Sequence, residues 1–297
     1  MKQKIIIAGG TGFIGQYLMK RFREAGYEVL LISRNSSRIT WTDAHKIRTA
    51  LEGAEALINL AGKSVDCRYT EVNKQIILGS RVQTTKQLQL AVDQCSTPPK
   101  LWINSSTATI YRHAEDRPMD ETEGEIGTGF SVNVAKAWEQ AFFEHPTPAT
   151  RKVALRTAIV LGKGGGVMAP YTRLVKFGLG GSQGSGRQVF SWIHIEDVYQ
   201  IIRFVMQQPS LEGVYNAAAP GPVFNQQFMQ ALRERIRPPV YFSSPEWLLQ
   251  LGAQLIGTET ELVLKSRWVI PKKLQEAGFQ FRYPTVNEAL DEIFGEK

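Results

Sequence analysis

Three glycines, Gly9, Gly12 and Gly15, follow a short apolar run near the start of this sequence. The run predicts a buried strand, and the amphipathic residues after Gly15 predict a helix. Glycines in such a strand–turn–helix unit let backbone N–H groups approach a phosphate group at the positive end of the helix. The spacing therefore predicts a nucleotide site, with a purely structural turn as the alternative.

Two arginines lie at the end of the second predicted strand, residues 28–33. A site selective for NAD has a carboxylate at this point, which accepts a hydrogen bond from the ribose 2′-OH. Here the strand end has no acidic residue; it has Arg34 and Arg38, with Ser33 beside them. Guanidinium groups suit a 2′-phosphate, so we expect NADP(H). The alternative is that Arg34 only solvates a loop.

A second turn of small residues ends a later hydrophobic strand, where Asn59 and Leu60 precede Ala61 and Gly62. In an open parallel sheet, ligands bind at the carboxyl ends of strands. Small residues there would let a cofactor approach the backbone. An ordinary strand-to-helix turn is the other interpretation.

Residues 9–15, Gly-Gly-Thr-Gly-Phe-Ile-Gly, resemble the glycine motif of the short-chain dehydrogenase/reductase superfamily, in its extended, epimerase-like branch. The Asn-x-Ala-Gly segment at residues 59–62 resembles a second element of that superfamily. The resemblance implies a Rossmann-type fold and, with the arginines above, NADP(H). The positions expected at the cofactor are Gly9, Thr11, Gly12, Phe13, Ile14, Gly15, Ser33, Arg34, Arg38, Leu60, Ala61, Gly62, Ser105 and Ser106.

Members of this superfamily use a Ser or Thr hydroxyl to orient the reacting oxygen of the substrate. The segment 101–111 resembles the strand of extended members that ends Ser-Ser-x-Ala-x-Val/Ile-Tyr. By that match Thr107 is a catalytic residue, although polar residues also cap strand ends. Tyr111 closes the segment and is a second catalytic candidate, with a packing tyrosine as the equal alternative.

The Tyr–Lys pair that usually exchanges the proton is absent, because no tyrosine of the sequence has Lys four residues later. Phe130 lies at or next to the tyrosine position, and Val134 or Ala135 lies at the lysine position. Lys136 lies one residue away from the expected lysine position. One residue along a helix rotates the side chain by about 100°, so we expect Lys136 to point away from the site.

In lacking this pair, the sequence resembles a divergent group of epimerase-like proteins that have a small extra C-terminal domain. The group's other matching stretches are residues 77–85, 184–197, 216–220 and 266–279.

Three residues are candidates for substrate binding: Arg81, Arg187 and Trp192. The arginines would anchor a negative group, and a surface ion pair is the alternative for each. Residues 184–197 combine basic, aromatic and hydrogen-bonding side chains and are expected to form a binding surface. Within them His194 is either an acid/base or, preferably, a core histidine held by Asp197.

Strands and helices alternate along the sequence, which predicts an α/β fold with a doubly wound parallel sheet. We assign residues 1–165 and 195–220 to an NADP-binding Rossmann domain. Residues 166–194 and 221–297 are assigned to a smaller, mostly helical substrate lobe. Only five residues separate Ser33 from Ile39, too few for a crossover helix. Either a bare loop leads to a third strand, or residues 39–41 lie outside the sheet.

Composition narrows the class of protein. The net charge of +7 comes from Lys and Arg spread along the chain, so nucleic-acid binding is not expected. The two cysteines predict free thiols, and the four scattered histidines predict no metal site. No apolar stretch is long enough to span a bilayer and no signal peptide precedes the first strand, so we expect a cytoplasmic protein that avoids membranes. A homodimer is an open possibility.

Two functional hypotheses follow. The first is an NADP(H)-dependent oxidoreductase or epimerase acting on a small hydroxyl or carbonyl compound, nucleotide-linked or free. The second is a catalytically quiet NADP(H)-binding scaffold or redox sensor, which lost turnover together with its Tyr–Lys pair.

Overall fold

The computed structural model describes residues 2–34, 39–243 and 265–295. The strands are β1 Lys4–Ala8, β2 Glu28–Ser33, β3 Ile39–Thr40, β4 Ala56–Asn59, β5 Leu101–Thr107, β6 Arg151–Thr157, β7 Ile159–Leu161, β8 Val189–Phe190, β9 Trp192–His194, β10 Gly213–Ala217 and β11 Val223–Phe224. The helices are α1 Phe13–Glu24, α2 Ala44–Leu51, α3 Glu71–Asp93, α4 Phe130–Phe143, α5 Met168–Lys176, α6 Ile195–Gln207, α7 Asn225–Ile236, α8 Lys272–Glu276 and α9 Val286–Phe294.

Seven parallel strands form the central sheet, in the order β10–β6–β5–β4–β1–β2–β3. Strand β1 lies between β2 and β4, and its four apolar residues after Lys4 are all buried. Helices on both faces shield such strands from water. Because all seven strands are parallel, their carboxyl ends lie along one edge of the sheet. The predicted Rossmann-type α/β fold is confirmed.

The short link after β2 does lead to a strand of this sheet. Ile39 and Thr40 pair in parallel with Ile32 and Ser33. The alternative that places residues 39–41 outside the sheet is therefore wrong for Ile39 and Thr40. Residues 35–38 lie outside the described residues.

Apolar side chains pack in separate clusters on the two sheet faces. Ile5 and Ile7 lie in one cluster with Leu18 and Phe22 of α1, whereas Ile6 lies in the other with Trp102. This alternation is the two-residue period of a strand. A further cluster lies beside the sheet and joins α5, α7 and α9 to β8 and β9.

Residues 151–161 form two strands in different sheets. Strand β6 stays in the main sheet, while β7 pairs with β9 in a separate two-stranded sheet. The expected binding surface at residues 184–197 is largely a buried segment instead. It contains β8, β9 and the start of α6, and Gln188, Trp192 and Asp197 are buried there. The alternation of strands and helices along the sequence does not show that β7 pairs with β9, because the two strands are far apart in the sequence.

In the part of the chain that the structure describes, no helix combines the length and apolar character needed to cross a membrane. Within the same residues, His, Cys, Asp and Glu form no cluster that could hold a metal ion.

Candidate active site

Gly9 and Gly12 lie between β1 and α1, Gly15 lies in the first turn of α1, and each has a different effect on the geometry of this segment. Gly9 has a φ of +77°, and a Cβ there would lie 2.6 Å from the Ala61 Cα. A Cβ on Gly15 would lie 2.3 Å from the Gly10 Cα, so Gly15 lets the helix pack against the turn. At Gly12 a Cβ would meet no atom within 4 Å. The space above Gly12 is therefore open for a ligand.

That open space lies at the N-terminus of α1. Gly12 is the residue that caps the helix, and no side chain accepts from the first-turn N–H groups. Such groups carry the positive end of the helix dipole and bind phosphate oxygens. The residues present thus fit the diphosphate group of a dinucleotide.

The carboxyl end of β2 lies beside this turn, since the Gly9 N–H donates to the Ile32 carbonyl at 3.0 Å. Ser33 is buried at the strand end, and Arg34 is exposed directly after it. The buried Ser33 and the exposed Arg34 both lie at the strand end where the adenosine ribose is expected. Arg38 lies outside the described residues.

Asn59 fixes the second turn through three hydrogen bonds. Its Nδ2 donates to Asn104 Oδ1 at 2.7 Å and to Thr85 Oγ1 at 3.2 Å, and its Oδ1 accepts from the Ala61 N–H at 3.0 Å. A Cβ on Gly62 would lie 3.0 Å from the Arg81 Cζ. The small residue at Gly62 therefore accommodates an arginine side chain.

A cavity of about 340 Å³ opens at the carboxyl ends of β4, β5 and β6. It touches the glycine turn through Ile14 and the second turn through Leu60 and Gly62. The other residues that line it are Lys63, Ser64, Val65, Tyr69, Ile77, Arg81, Ser105, Ser106, Thr107, Thr109, Phe130, Ser131, Val134, Ala135, Trp138, Thr157, Ala158 and Val160.

Hydroxyl groups from the end of β5 reach this cavity. Thr107 Oγ1 donates to Thr109 Oγ1 at 3.1 Å and accepts from the Thr109 N–H at 3.2 Å. Ser105 lines the same wall, half-buried. The structure thus brings the predicted Ser105 and Thr107 together with the predicted Arg81.

Helix α4 forms another part of the cavity wall. Phe130, Val134 and Ala135 all line the cavity, and these are the residues at or next to the positions expected for a Tyr–Lys pair. Lys136 is exposed, as its offset on the helix predicted. No sequence motif marks Tyr69, yet it lines the cavity and its ring packs edge-on against Phe130, with centroids 4.9 Å apart.

Arg81 projects from α3 into the same cavity. Its Nη1 donates to the carbonyls of Lys63 and Ile77, each at 3.0 Å, and its guanidinium lies 5.0 Å from the centre of the Trp138 ring. Burial lowers the pKa of Arg81 to about 10. The group is still a cation at neutral pH.

A sequence model of the NAD dependent epimerase/dehydratase family matches residues 5–218. The chain belongs to this family. A second model, a domain of unknown function (DUF1731), matches residues 244–293, of which 244–264 lie outside the described residues. Both matches agree with the extended short-chain dehydrogenase fold and the extra C-terminal domain that the motifs implied.

Curated relatives match nearly the whole chain. The epimerase family protein SDR39U1 of Homo sapiens is 32% identical over 98% of this chain and 99% of its own length. The epimerase family protein YfhF of Bacillus subtilis is 31% identical, over 99% and 98% respectively. Full-length matches of this kind extend the family assignment across both predicted domains.

Solved structures agree with the fold. Human SDR39U1 (isoform 2), crystallised with NADPH, superposes with a TM-score of 0.88, 32% identity, and 98% and 99% coverage of the two chains. A nucleoside-diphosphate sugar epimerase from Corynebacterium glutamicum superposes with a TM-score of 0.79 and 28% identity, over 99% of this chain and 59% of that one. This family member is therefore an NAD(P)-binding protein.

A polar network lies behind β5 and explains Tyr111. The Tyr111 hydroxyl donates to Asn216 Oδ1 at 3.0 Å and accepts from Arg156 Nη1 at 2.9 Å. The ring is 1% exposed and does not line the cavity, and burial raises the pKa of the phenol. The prediction that Tyr111 faces the reacting groups is therefore not supported, because its hydroxyl is committed to the core.

The same network holds Ser106. Its Oγ donates to Glu139 Oε1 at 2.6 Å, and Glu139 forms a two-pronged ion pair with Arg156 at 2.8 Å. Ser106 reaches the cavity wall, but its hydroxyl is occupied by this carboxylate. The motif predicted the position of Ser106 at the end of the strand, but it did not predict the hydrogen bond to Glu139.

Two predicted substrate residues lie elsewhere. Trp192 is fully buried, and its indole N–H donates to the Gly221 carbonyl at 3.0 Å. Arg187 is exposed and is not among the residues that line the cavity. His194 is a core histidine as preferred, but Glu292 holds its Nε2 at 3.1 Å. Asp197 instead accepts backbone N–H groups from residues 282 and 283.

Proposed function

We propose that this protein is an NADP(H)-dependent oxidoreductase or epimerase acting on a small hydroxyl or carbonyl compound. The observation that carries the proposal is a single cavity bordered both by Ile14 of the glycine turn and by the hydroxyl groups of Ser105 and Thr107. In open α/β sheets, cofactor and substrate meet at this edge.

The preference for NADP(H) rests on the end of β2. Arg34 is exposed directly after the strand, and its guanidinium suits the charge and geometry of a 2′-phosphate. Arg38, by its sequence position, would add a second cation. The NADPH bound by the human relative supports the same choice.

When bound, the nicotinamide supplies or accepts a hydride. Thr107 would turn its hydroxyl proton from Thr109 to the reacting oxygen of the substrate and so orient that oxygen. Tyr69 would transfer the proton, because it is the lining residue with a phenol, a stronger acid than the aliphatic hydroxyls around it. It packs against Phe130, so its hydroxyl takes over from the tyrosine that α4 lacks.

The test has two stages on the purified protein. Fluorescence titration should show NADPH binding at least about tenfold tighter than NADH, since a charge-assisted contact contributes over 1.4 kcal/mol. The NADPH-loaded protein is then mixed with aldehydes, ketones and nucleotide sugars while nicotinamide absorbance is followed. Net oxidation of NADPH by an aldehyde or ketone is the result expected of an oxidoreductase. An epimerase returns the hydride to its substrate, so the NADP⁺-loaded protein is also mixed with nucleotide sugars and the formation of a new sugar isomer is measured. No NADPH binding at all would overturn the proposal.

The alternative is a catalytically quiet NADP(H)-binding scaffold or redox sensor, and Phe130 in the cavity wall favours it. Tight NADPH binding with no turnover of any substrate would select this alternative. We expect a cytoplasmic protein, which fractionation of cells would test. Light scattering after gel filtration would decide between a monomer and a homodimer.

A further inference from the structure

We propose that the substrate of this cavity carries a carboxylate or phosphate group, which Arg81 binds through its guanidinium. This inference rests on the proposed function and names the substrate class that the site selects. Its chemical consequence is a small hydroxy acid, keto acid or phosphate ester, with the reacting oxygen a few atoms from the anion.

The first observation is the charge of the cavity. Lys63 and Arg81 are the two basic residues among its described lining residues, and these include no Asp or Glu. A concave site with one sign of charge raises the local concentration of the opposite ion. The cavity therefore attracts anions.

The second observation is that Arg81 has no acidic partner among the described residues. Its two hydrogen bonds, both from Nη1, go to backbone carbonyls, and its guanidinium also lies against the Trp138 ring and beside Gly62. Carbonyl dipoles hold the side chain in place, but they do not neutralise its charge. The Nε and Nη2 groups donate to no described residue, so an N–H pair remains for an oxyanion.

The environment of the guanidinium agrees with this geometry. Burial lowers the pKa of Arg81 to about 10, as expected for a cation that has lost water without gaining a counter-ion. A bound anion would supply that counter-ion. It would also pair with a planar group already held against Trp138, at little cost in side-chain entropy.

The distance between anion and reacting centre is limited by the cavity itself. Arg81 and Thr107 both line a volume of about 340 Å³. A ligand that touches both is a small molecule. The same chemistry could come from the diphosphate of the cofactor, so the experiment must separate the two sources.

The experiment titrates malonate, and separately inorganic phosphate, into the full-length protein at constant ionic strength. Tryptophan fluorescence reports binding, because Trp138 stacks on Arg81. The titration is made with and without saturating NADP⁺. We expect saturable binding in the NADP⁺-loaded protein. Binding that appears only without NADP⁺ would overturn the proposal and assign Arg81 to the cofactor.

Arg81→Gln should weaken the binding of malonate at least tenfold, and Arg81→Lys should weaken it less. Lys86→Gln is the matched control, since it removes one exposed charge from the same helix and should leave binding unchanged. Equal effects of Arg81→Gln and Lys86→Gln would overturn the proposal. If circular dichroism shows that Arg81→Gln does not fold, the malonate affinity of Arg81→Lys is compared with that of Lys86→Gln instead.

Separate NADPH titrations keep this test apart from the proposed function. NADPH binding without anion binding removes Arg81 as a substrate residue and leaves the proposed reaction in place. Anion binding without NADPH binding overturns the proposed function itself.

Discussion

The side chain of Arg34 follows directly on the second strand, at the edge where the ribose of a dinucleotide lies. Arg34→Glu should weaken NADPH binding by about 10- to 100-fold, because a charge-assisted hydrogen bond contributes roughly 1.5–3 kcal/mol. NADH binding should change little. Fluorescence titrations of both cofactors measure the ratio, with Arg23→Glu as an exposed control. An unchanged NADPH affinity would remove Arg34 from the site.

Gly12 and Gly15 should respond oppositely to the same added methyl group. Gly12→Ala enters open space at a φ of −79°, so stability should stay within about 0.5 kcal/mol while NADPH affinity falls at least about tenfold. Gly15→Ala places its methyl against Gly10 and should cost about 1–3 kcal/mol of unfolding free energy. Urea unfolding and NADPH titration of both variants distinguish a ligand contact from a packing contact.

Tyr69 is assigned the proton transfer. On a substrate found by the panel above, Tyr69→Phe should lower kcat by about 10²–10⁴-fold, the usual contribution of a positioned acid or base. NADPH affinity should not change, because the ring still packs against Phe130. Tyr241→Phe, at an exposed tyrosine, is the control. Full turnover by Tyr69→Phe would assign the proton to another group.

At the scale of elements, one carboxylate joins the cofactor helix α1 to α6. Glu196 accepts from the Tyr17 hydroxyl at 2.5 Å and from Arg21 at 2.9 and 3.0 Å. Burial alone would raise the pKa of Glu196, but the bonds from Arg21 and Tyr17 hold it below its ordinary value. The contact fixes the direction in which α1 presents its N-terminus to the ligand.

Glu196→Gln should lower the unfolding free energy at pH 7 by about 2–3 kcal/mol. A fully buried pair costs roughly 3–5 kcal/mol to break, but Arg21 is 30% exposed. Because the folded-state pKa is lowered, this stabilisation exists above the unfolded-state pKa and disappears as pH falls through the folded-state value. The difference between wild type and variant should therefore shrink below about pH 4.5. Urea unfolding at several pH values measures it, and a constant difference would contradict the assignment.

Across the whole molecule, the C-terminal segment is part of the main core. Leu274 and Phe279 pack in the same cluster as Ile5 and Ile7 of β1. The Asn216 side chain on β10 also donates to the Ile270 carbonyl at 3.0 Å. The predicted boundary between two domains is thus crossed by shared apolar packing.

Shared packing predicts one cooperative unfolding transition. Differential scanning calorimetry should give a single peak whose calorimetric and van't Hoff enthalpies agree, although the sequence assigns two domains. Saturating NADPH should move that whole peak to higher temperature. Two peaks, of which NADPH shifts only one, would show that the lobe unfolds independently.

Local patterns predicted much of this molecule. The strand, turn and helix around Gly9–Gly15 form because of residues that are close together in the sequence. The order of the elements and the placement of Ser105 and Thr107 at a strand end could be predicted from such local patterns too. Periodicity and backbone freedom act over that same range, which is why the sequence determined the fold class and the glycine turn between β1 and α1.

Tertiary structure alone decided which side chains face the cavity. Tyr111 bonds to a residue 105 positions away, and Trp192 is buried in a cluster with side chains of α5, α7 and α9. Tyr69 reaches the cavity from a loop without any motif. Burial and hydrogen-bond partners depend on segments distant in sequence, so the same residue type can be a core residue in one place and face a ligand in another.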